Sequence, residues 1–370
     1  MIVLLILSFA NRLLVRACPI LLEEDTEFEN NCKIPAFNGT LECSFEVSNE
    51  WNFLEFREWI DNLKNNVTLE LTCLKNGTVF LPAPFRARNL RKLYVKNCVI
   101  DGYHSENFVI SKYPDYMSYL SLIDVVILID PIEIAGRSVN KSQFLKSDYC
   151  GQETLLGFVE RNVSELTVLK PNVTHEDMIV MSKFLDDTMK KVENKNHTCN
   201  FKNMKYIEHS DMDIIRPIFF DSITKKKTYP SLENFNFSSN SLSEIPSHLS
   251  HWWHYFPQLL HIDLSNNNIR NFSFEQPDAK PSNVTIDLKH NSITSVPWDL
   301  SLLTIGKTVI VVDLLDNPIH CDSRACVLSK YLNDLPRLGF TGEFLDIKCH
   351  SPKDMEGTKV KTLFNSTFCK

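Results

Sequence analysis

The sequence predicts an α/β solenoid: short parallel strands stacked side by side, one per repeat, with disulfide-linked caps at the two ends. Two observations predict it. One eleven-residue phrase recurs four times between Leu232 and Ile319, and its central asparagines stand 27, 24 and 26 residues apart. Cysteines also gather before and after the repeats, with Cys18, Cys32, Cys43 and Cys73 toward one end and Cys321, Cys326, Cys349 and Cys369 toward the other.

The first copy is Leu232-x-x-Phe235-x-Phe237-x-x-Asn240-x-Leu242, and the second is Leu259-x-x-Ile262-x-Leu264-x-x-Asn267-x-Ile269. The third is Asn283-x-x-Ile286-x-Leu288-x-x-Asn291-x-Ile293, and the fourth is Val309-x-x-Val312-x-Leu314-x-x-Asn317-x-Ile319. The alternation inside the phrase reads as a strand with one buried face. One repeat is too small to bury that face alone, so neighbours stack into a continuous core. The asparagine amide carries a donor and an acceptor, which suits a tight turn with otherwise unpaired backbone groups. Phrase and period are the signature of leucine-rich repeats, which form a horseshoe with the strands on its concave face.

The N-terminus begins with an apolar run, Ile2 to Ala10. Val15 and Ala17 then fit a small-residue cleavage rule, so residues 1–17 read as a signal peptide; cleavage after Ala10 also fits. Arg12 and Arg16 make the run too short to span a bilayer, and Asp124 and Asp130 interrupt the apolar segment Leu120 to Ile134. No membrane anchor is visible. All eleven cysteines follow the signal run, which suits an oxidising compartment. Eleven Asn-x-Ser/Thr sequons, at Asn38, Asn66, Asn76, Asn140, Asn162, Asn172, Asn196, Asn236, Asn271, Asn283 and Asn365, predict a glycosylated surface. The expected location is therefore extracellular. A net charge of −7 argues against a nucleic-acid partner.

Residues 18–88 read as an N-terminal cap, with a short helix over Phe53 to Leu63 and a strand over Val67 to Cys73. Residues 89–319 read as repeats, irregular to about 230 and regular over 232–319. Leu90-x-x-Leu93-x-Val95-x-x-Cys98-x-Ile100 carries Cys98 in the asparagine slot, either as a reduced ladder residue or bridged to Cys73. Weaker repeats are expected at Leu122-x-x-Val125-x-Ile127, at Val163-x-x-Leu166-x-Val168, and from Met204 and Ile207 to Ile214. The wide spacing there implies insertions, one of them helical over His175 to Val192, with Cys150 and Cys199 available to staple them. The run Lys225 to Lys227 reads as a solvated loop. Seven cysteines lie outside the C-terminal set, so at least one lacks an internal partner; Cys18 and Cys98 are the expected candidates.

Residues 320–370 hold Cys321, Cys326, Cys349 and Cys369, with a helix expected over Leu328 to Leu335. Sequence alone allows three pairings. The arrangement resembles the C-terminal cysteine cap of extracellular leucine-rich repeat proteins, and that resemblance implies Cys321–Cys349 and Cys326–Cys369. The family's usual Cys-x-Cys is missing: Ser323 stands where the second cysteine belongs, and Cys326 must serve instead.

Within that group the C-terminal half resembles the ectodomain of invertebrate Toll receptors. The residues are Ile262-Asp-Leu-Ser-Asn-Asn-Asn-Ile269, the run Val312 to Asp322, and a cap tail with Cys349, Pro352, Gly357, Val360 and Leu363. The resemblance implies a binder of a protein ligand such as a cystine-knot cytokine of the Spätzle family, or of a Toll-type receptor. The chain departs from the receptors in showing neither a membrane span nor a signalling domain after Cys369.

One outward position of the four regular repeats reads Asn236, Asp263, Asp287 and Asp313. Three carboxylates about 4.8 Å apart form an acidic column that could receive a basic ligand. Leu-Asp-Leu is also a common spelling of this repeat, which weighs against a special role. Asn236 and Asn283 are sequons, and glycans there would cover part of this face and direct ligands to the lateral edges or the N-terminal half. The spacing of His248, His251 and His254 invites a metal, but no cysteine or carboxylate completes a set, and Trp252, Trp253 and Phe256 suggest core cover instead. There is no Gly-x-Ser-x-Gly, phosphate loop or His-Glu-x-x-His, so neither an enzyme nor a cofactor is expected.

The function expected is a secreted recognition protein for a protein ligand or a microbial surface molecule, in immunity or development, acting as a soluble decoy or co-receptor. The alternatives are an adhesive extracellular protein, or the ectodomain of a longer receptor. The irregular repeats before residue 230 are the region expected to make the protein particular.

Overall fold

A strand with alternating apolar residues needs neighbours on both edges, and here the repeats supply them. The computed structural model describes residues 25–34, 39–75, 77–81, 87–101, 116–127, 199–211, 227–245, 249, 251–275, 283–304 and 308–369. Strands and helices are numbered along the chain. Ten strands form one sheet. From the N-terminal end these are β1 (Cys32–Lys33), β2 (Leu41–Val47), β4 (Val67–Cys73), β6 (Leu90–Lys96) and β8 (Tyr119–Ile123). Then come β11 (Tyr206–Ser210), β13 (Asn234–Asn236), β14 (His261–Asp263), β15 (Val284–Asp287) and β16 (Ile310–Asp313). Only the β1–β2 pairing is antiparallel; the others are parallel. A second, four-stranded sheet joins β3 (Glu50–Asn52), β5 (Thr78–Phe80), β7 (Val99–Asp101) and β9 (Val126–Ile127).

The four ladder asparagines interlock successive repeats. Asn267 donates to the carbonyl of Leu264 in its own repeat and to that of Phe237 in the repeat before, and accepts from the Leu242 amide. Asn291 does the same with Leu288, Leu264 and Ile269. Asn317 does so with Leu314, Leu288 and Ile293. The residue before each ladder slot adopts left-handed backbone. The series Ser239, Asn266, His290 and Asp316 continues into the irregular half with Asn97, Asp124 and Asp211, all with φ between 50° and 58°. Short polar side chains tolerate that region best.

This marker fixes the irregular frame. Asp124 places Val125 in the ladder slot, and pairing aligns Leu93 with Leu120 and Val95 with Leu122. The repeat is therefore Met117-x-x-Leu120-x-Leu122-x-x-Val125, five residues earlier than the phrase starting at Leu122. The expected frame followed an apolar run because no asparagine marks the turn. Cys98, in the equivalent slot, bridges to Cys73 with an S–S distance of 2.04 Å. It is therefore not the unpaired thiol.

The expected repeat at Val163 to Val168 lies outside the described residues. Tyr119 to Ile123 pair directly with Tyr206 to Ser210. Further along, β10 (Cys199–Asn200) pairs with β12 (Lys227–Thr228). Lys227 is thus a strand residue rather than part of a loop. The signal run, Cys18, Cys150 and the helix expected over 175–192 also lie outside the described residues.

Each end of the stack is closed. Near the N-terminus, α1 (Asp25–Asn31) and α2 (Phe53–Asp61) cover the first strands. The Asn52 side chain accepts from Leu54 N and starts α2, and Phe53, Phe56 and Ile60 turn inward at helical spacing. Phe28, Phe45, Trp51 and Trp59 pack around Phe56 with ring centroids 5.5–5.7 Å away. The Cys32–Cys43 disulfide ties β1 to β2.

At the other end α3 spans Ser323–Arg337, longer at both ends than expected. Asp322 starts it by accepting from Arg324 N, so Cys326 sits in the first turn and still reaches Cys369. The shift from Cys-x-Cys is absorbed by that early start. Cys321 pairs with Cys349, so both pairings implied by the cap resemblance are present. Tyr331, fully buried in α3, accepts from Val312 N and donates to Ile310 O with its hydroxyl. It satisfies the free edge of the last strand. Trp252 and Phe256 are fully buried, and Trp253 packs half-buried against the core, as their spacing suggested.

Candidate binding face

Side chains alternate along each strand, so every second residue leaves the core. Register then sorts the outward residues into columns across the sheet. One column runs Glu42, Thr68, Lys92, Tyr119, Tyr206, Asn234, His261, Thr285. The next runs Ser44, Glu70, Tyr94, Ser121, Glu208, Asn236, Asp263, Asp287, Asp313. The three expected carboxylates do fall into one column.

Their environment is that of turn residues. Asp263, Asp287 and Asp313 each accept from the backbone N–H two positions on, at 2.9, 2.9 and 3.0 Å. Asn236 does the same for Ser238. Such Asx turns close the chain after a strand. Lys289 adds a cation within the column, with its Nζ 2.9 Å from Asp287 and 3.9 Å from Asp313. Burial raises the Asp313 carboxyl pKa, against the lowering effect of its backbone hydrogen bond. The column is therefore hydrogen-bonded inward and partly neutralised.

A different constellation occupies the irregular half, and sequence reasoning missed it. The rings of Tyr119 and Tyr206 stack at 4.0 Å with 2° between planes, and Tyr94 packs on Tyr119 at 4.7 Å. All three are half-buried. Beside them Glu208 collects donors from three strands: Ser121 at 2.6 Å, Tyr206 and Ser210 at 3.2 Å, and the Asn236 amide at 2.9 Å. Burial is the first cause raising the phenol pKa of all three tyrosines; for Tyr94 and Tyr119 neighbouring tyrosine contact and the Glu208 charge add to it. The ladder is neutral, aromatic and tipped with hydroxyls. The signal was there: these residues fill the unspecified outward positions of the repeat phrase. Reading them needs the correct frame, and the misplaced frame left Tyr119 outside its repeat.

Among the described sequons, Asn66, Asn271, Asn283 and Asn365 are exposed. Asn236 is half-buried, with its amide nitrogen on Glu208. His251 pairs with Glu275 at 2.9 Å, and His248 lies outside the described residues. Among the described residues no helix is long and apolar enough to cross a membrane.

The fold defines a leucine-rich repeat solenoid with cystine-tied ends. No family model and no curated protein matches the chain. Solved structures do match. One is human 5T4, also called Wnt-activated inhibitory factor 1 or trophoblast glycoprotein, at 14% identity and a TM-score of 0.42, covering 90% of this chain and 96% of that one. Another belongs to the Drosophila Toll–Spätzle complex, at 14% identity and a TM-score of 0.33, covering 81% of this chain but only 36% of that one. A third is from the octameric complex of Latrophilin 3, Unc5D and FLRT2, at 12% identity and a TM-score of 0.34, covering 85% and 88%. These likenesses concern the path of the chain alone.

Proposed function

We propose that this is an extracellular recognition protein that binds a protein ligand over the open face of its sheet, centred on Tyr94, Tyr119 and Tyr206. The stacked tyrosines carry the reading. Elsewhere on the face the outward residues are small, polar or tied to turns, whereas here about three aromatic rings stand together, and tyrosine is enriched where interfaces concentrate their energy. Glu208 holds the Tyr206 side of the ladder in place, which lowers the ordering cost of binding. Among the described residues, four disulfides and four exposed sequons suit an oxidising, glycosylating route to the cell exterior.

The ligand class proposed is a cystine-knot cytokine of the Spätzle type, with the protein acting as a soluble decoy or co-receptor. A Toll-type receptor and a microbial surface molecule are the next partners to try. Surface plasmon resonance with a purified Spätzle-family cytokine and a panel of extracellular proteins tests this. The Tyr119→Ala/Tyr206→Ala double variant should weaken any specific ligand by about 30-fold or more, the loss of a central aromatic anchor. Unchanged affinity would move the site off this face. The adhesive alternative draws on Trp298, 60% exposed and under the Arg324 guanidinium at 5.4 Å. A concentration-dependent dimer that Trp298→Ala abolishes would favour it.

A further inference from the structure

The open face continues past Tyr94 into a cleft of about 520 Å³ between the N-terminal cap and the first strands. Asn30 and Lys33 stand on the cap side; Glu42, Ser44, Glu70 and Tyr94 form the strand side. Glu42 pairs across the sheet with Thr68, and Ser44 with Glu70, so the two glutamates are diagonal neighbours on one face. Their carboxylates can meet one cation between them. Both residues are exposed, and neither is engaged in an ion pair among the described residues.

Tyr94 is the direct register partner of Glu70 and remains half-buried against Tyr119. The site thus offers an aromatic wall beside two uncommitted carboxylates inside a concavity. A guanidinium is the group that uses both: its flat face lies on a ring while its fork meets carboxylate oxygens. Among the described residues Lys33 is the one cation on the walls; it stands opposite Glu42 in the β1–β2 register, with no ion pair formed between them, and so sets one cation against two carboxylates. Lys92 lies in the adjoining column with its ammonium 6.0 Å from the Tyr119 ring centroid. The acidic column at the other end of the sheet differs, because its carboxylates close their own turns and Lys289 already pairs with them.

We propose that this cleft is the anchor pocket of the binding face and takes an arginine side chain from an extended basic segment of the protein ligand. This rests on the protein-recognition reading above and names the chemistry of the ligand at one end of the face.

Fluorescence polarisation at low ionic strength tests it, using a labelled peptide, Gly-Ser-Arg-Ser-Arg-Ser-Gly, and the same peptide with citrulline for arginine. The arginine peptide should bind the intact protein, and the neutral citrulline peptide should not. The Glu42→Gln/Glu70→Gln variant should weaken binding by about ten-fold, the scale of a lost charge-assisted contact. Ser44→Trp, which fills the cleft without changing charge, should weaken it similarly. Asp263→Asn/Asp287→Asn should leave it unchanged. Equal binding of the two peptides, no binding of the arginine peptide, or loss only in the Asp263/Asp287 variant would overturn the proposal. If the cleft variants bind the peptide normally while Tyr119→Ala/Tyr206→Ala still weakens a protein ligand, the cleft assignment fails and the recognition reading stands.

Discussion

From Asn236 to Asp313 the outward residue of each strand closes its own turn, and from Ser44 to Glu208 the residues of the same column do not. In the regular half Asn236, Asp263, Asp287 and Asp313 accept from the backbone two residues on, while Asn267, Asn291 and Asn317 tie each repeat to the one before. In the irregular half the ladder slots hold Cys98 and Val125. A disulfide there replaces amide hydrogen bonds, and the outward column holds Tyr94, Ser121 and Glu208: Tyr94 packs on Tyr119 of the adjoining column, and Ser121 donates to Glu208. A regular repeat directs its polar side chains to its own backbone. An irregular one leaves them available, at the expense of other staples.

Breaking the regular half where it is tied most tightly gives the largest expected effect. Asn291→Ala strips the partner from the Ile269 amide and from three carbonyls in a buried site. It should lower unfolding stability by about 3 kcal/mol, read by urea denaturation. The matching change in the irregular half, Cys73→Ala/Cys98→Ala, opens a loop of 25 residues. It should cost about 3 kcal/mol or slightly less, and reductant should abolish the difference between variant and parent. A cost near zero for either change would dissolve the contrast.

A third test uses acid. His209 occupies an inward position in β11, fully buried with its ring 5.3 Å from that of Phe237. Burial lowers its pKa from 6.5 to about 3. The neutral ring is compatible with the core, so its full contribution is present above pH 6.5. Below that the unfolded chain takes up a proton and the folded chain does not, until about pH 3. Stability should therefore fall by about 1.4 kcal/mol per pH unit in that window from this residue. His209→Leu should flatten that slope, and denaturation from pH 7 to 4 measures it. The regular half has no described counterpart, because Leu264, Leu288 and Leu314 fill the corresponding slot.

The smallest effect sharpens the comparison. Asp287→Asn keeps the turn bond, as Asn236 shows in the same position, and should change stability by less than about 0.5 kcal/mol. Glycopeptide mapping gives a companion reading: Asn66, Asn271, Asn283 and Asn365 should carry glycans and Asn236 should not, since its amide serves Glu208.

The same contrast explains what the sequence made legible. The four regular repeats could be read because asparagine is needed wherever amide bonds close the turn, and its recurrence marks the frame. The C-terminal cap could be read from its cysteines despite Ser323. Where Cys98 takes over, the apolar phrase still keeps the frame; where Val125 does, the marker disappears and the frame slips by five residues. Tyr94, Tyr119 and Tyr206 fill outward positions, which repeat chemistry leaves free, so the phrase alone does not single them out and the correct frame is needed to bring them together. Three left-handed residues, Asn97, Asp124 and Asp211, keep the frame where the ladder asparagine does not, but Asn and Asp are common elsewhere in the chain.

The direct pairing of β8 with β11 has a consequence for the tyrosines it brings together. Tyr119 to Ile123 lie far from Tyr206 to Ser210 in sequence, yet they pair residue for residue. Their register is therefore held by the two strands and their neighbours in the sheet. The stack of Tyr119 on Tyr206 depends on that register. A slip of one residue in either strand would turn its ring toward the core and take the aromatic ladder apart.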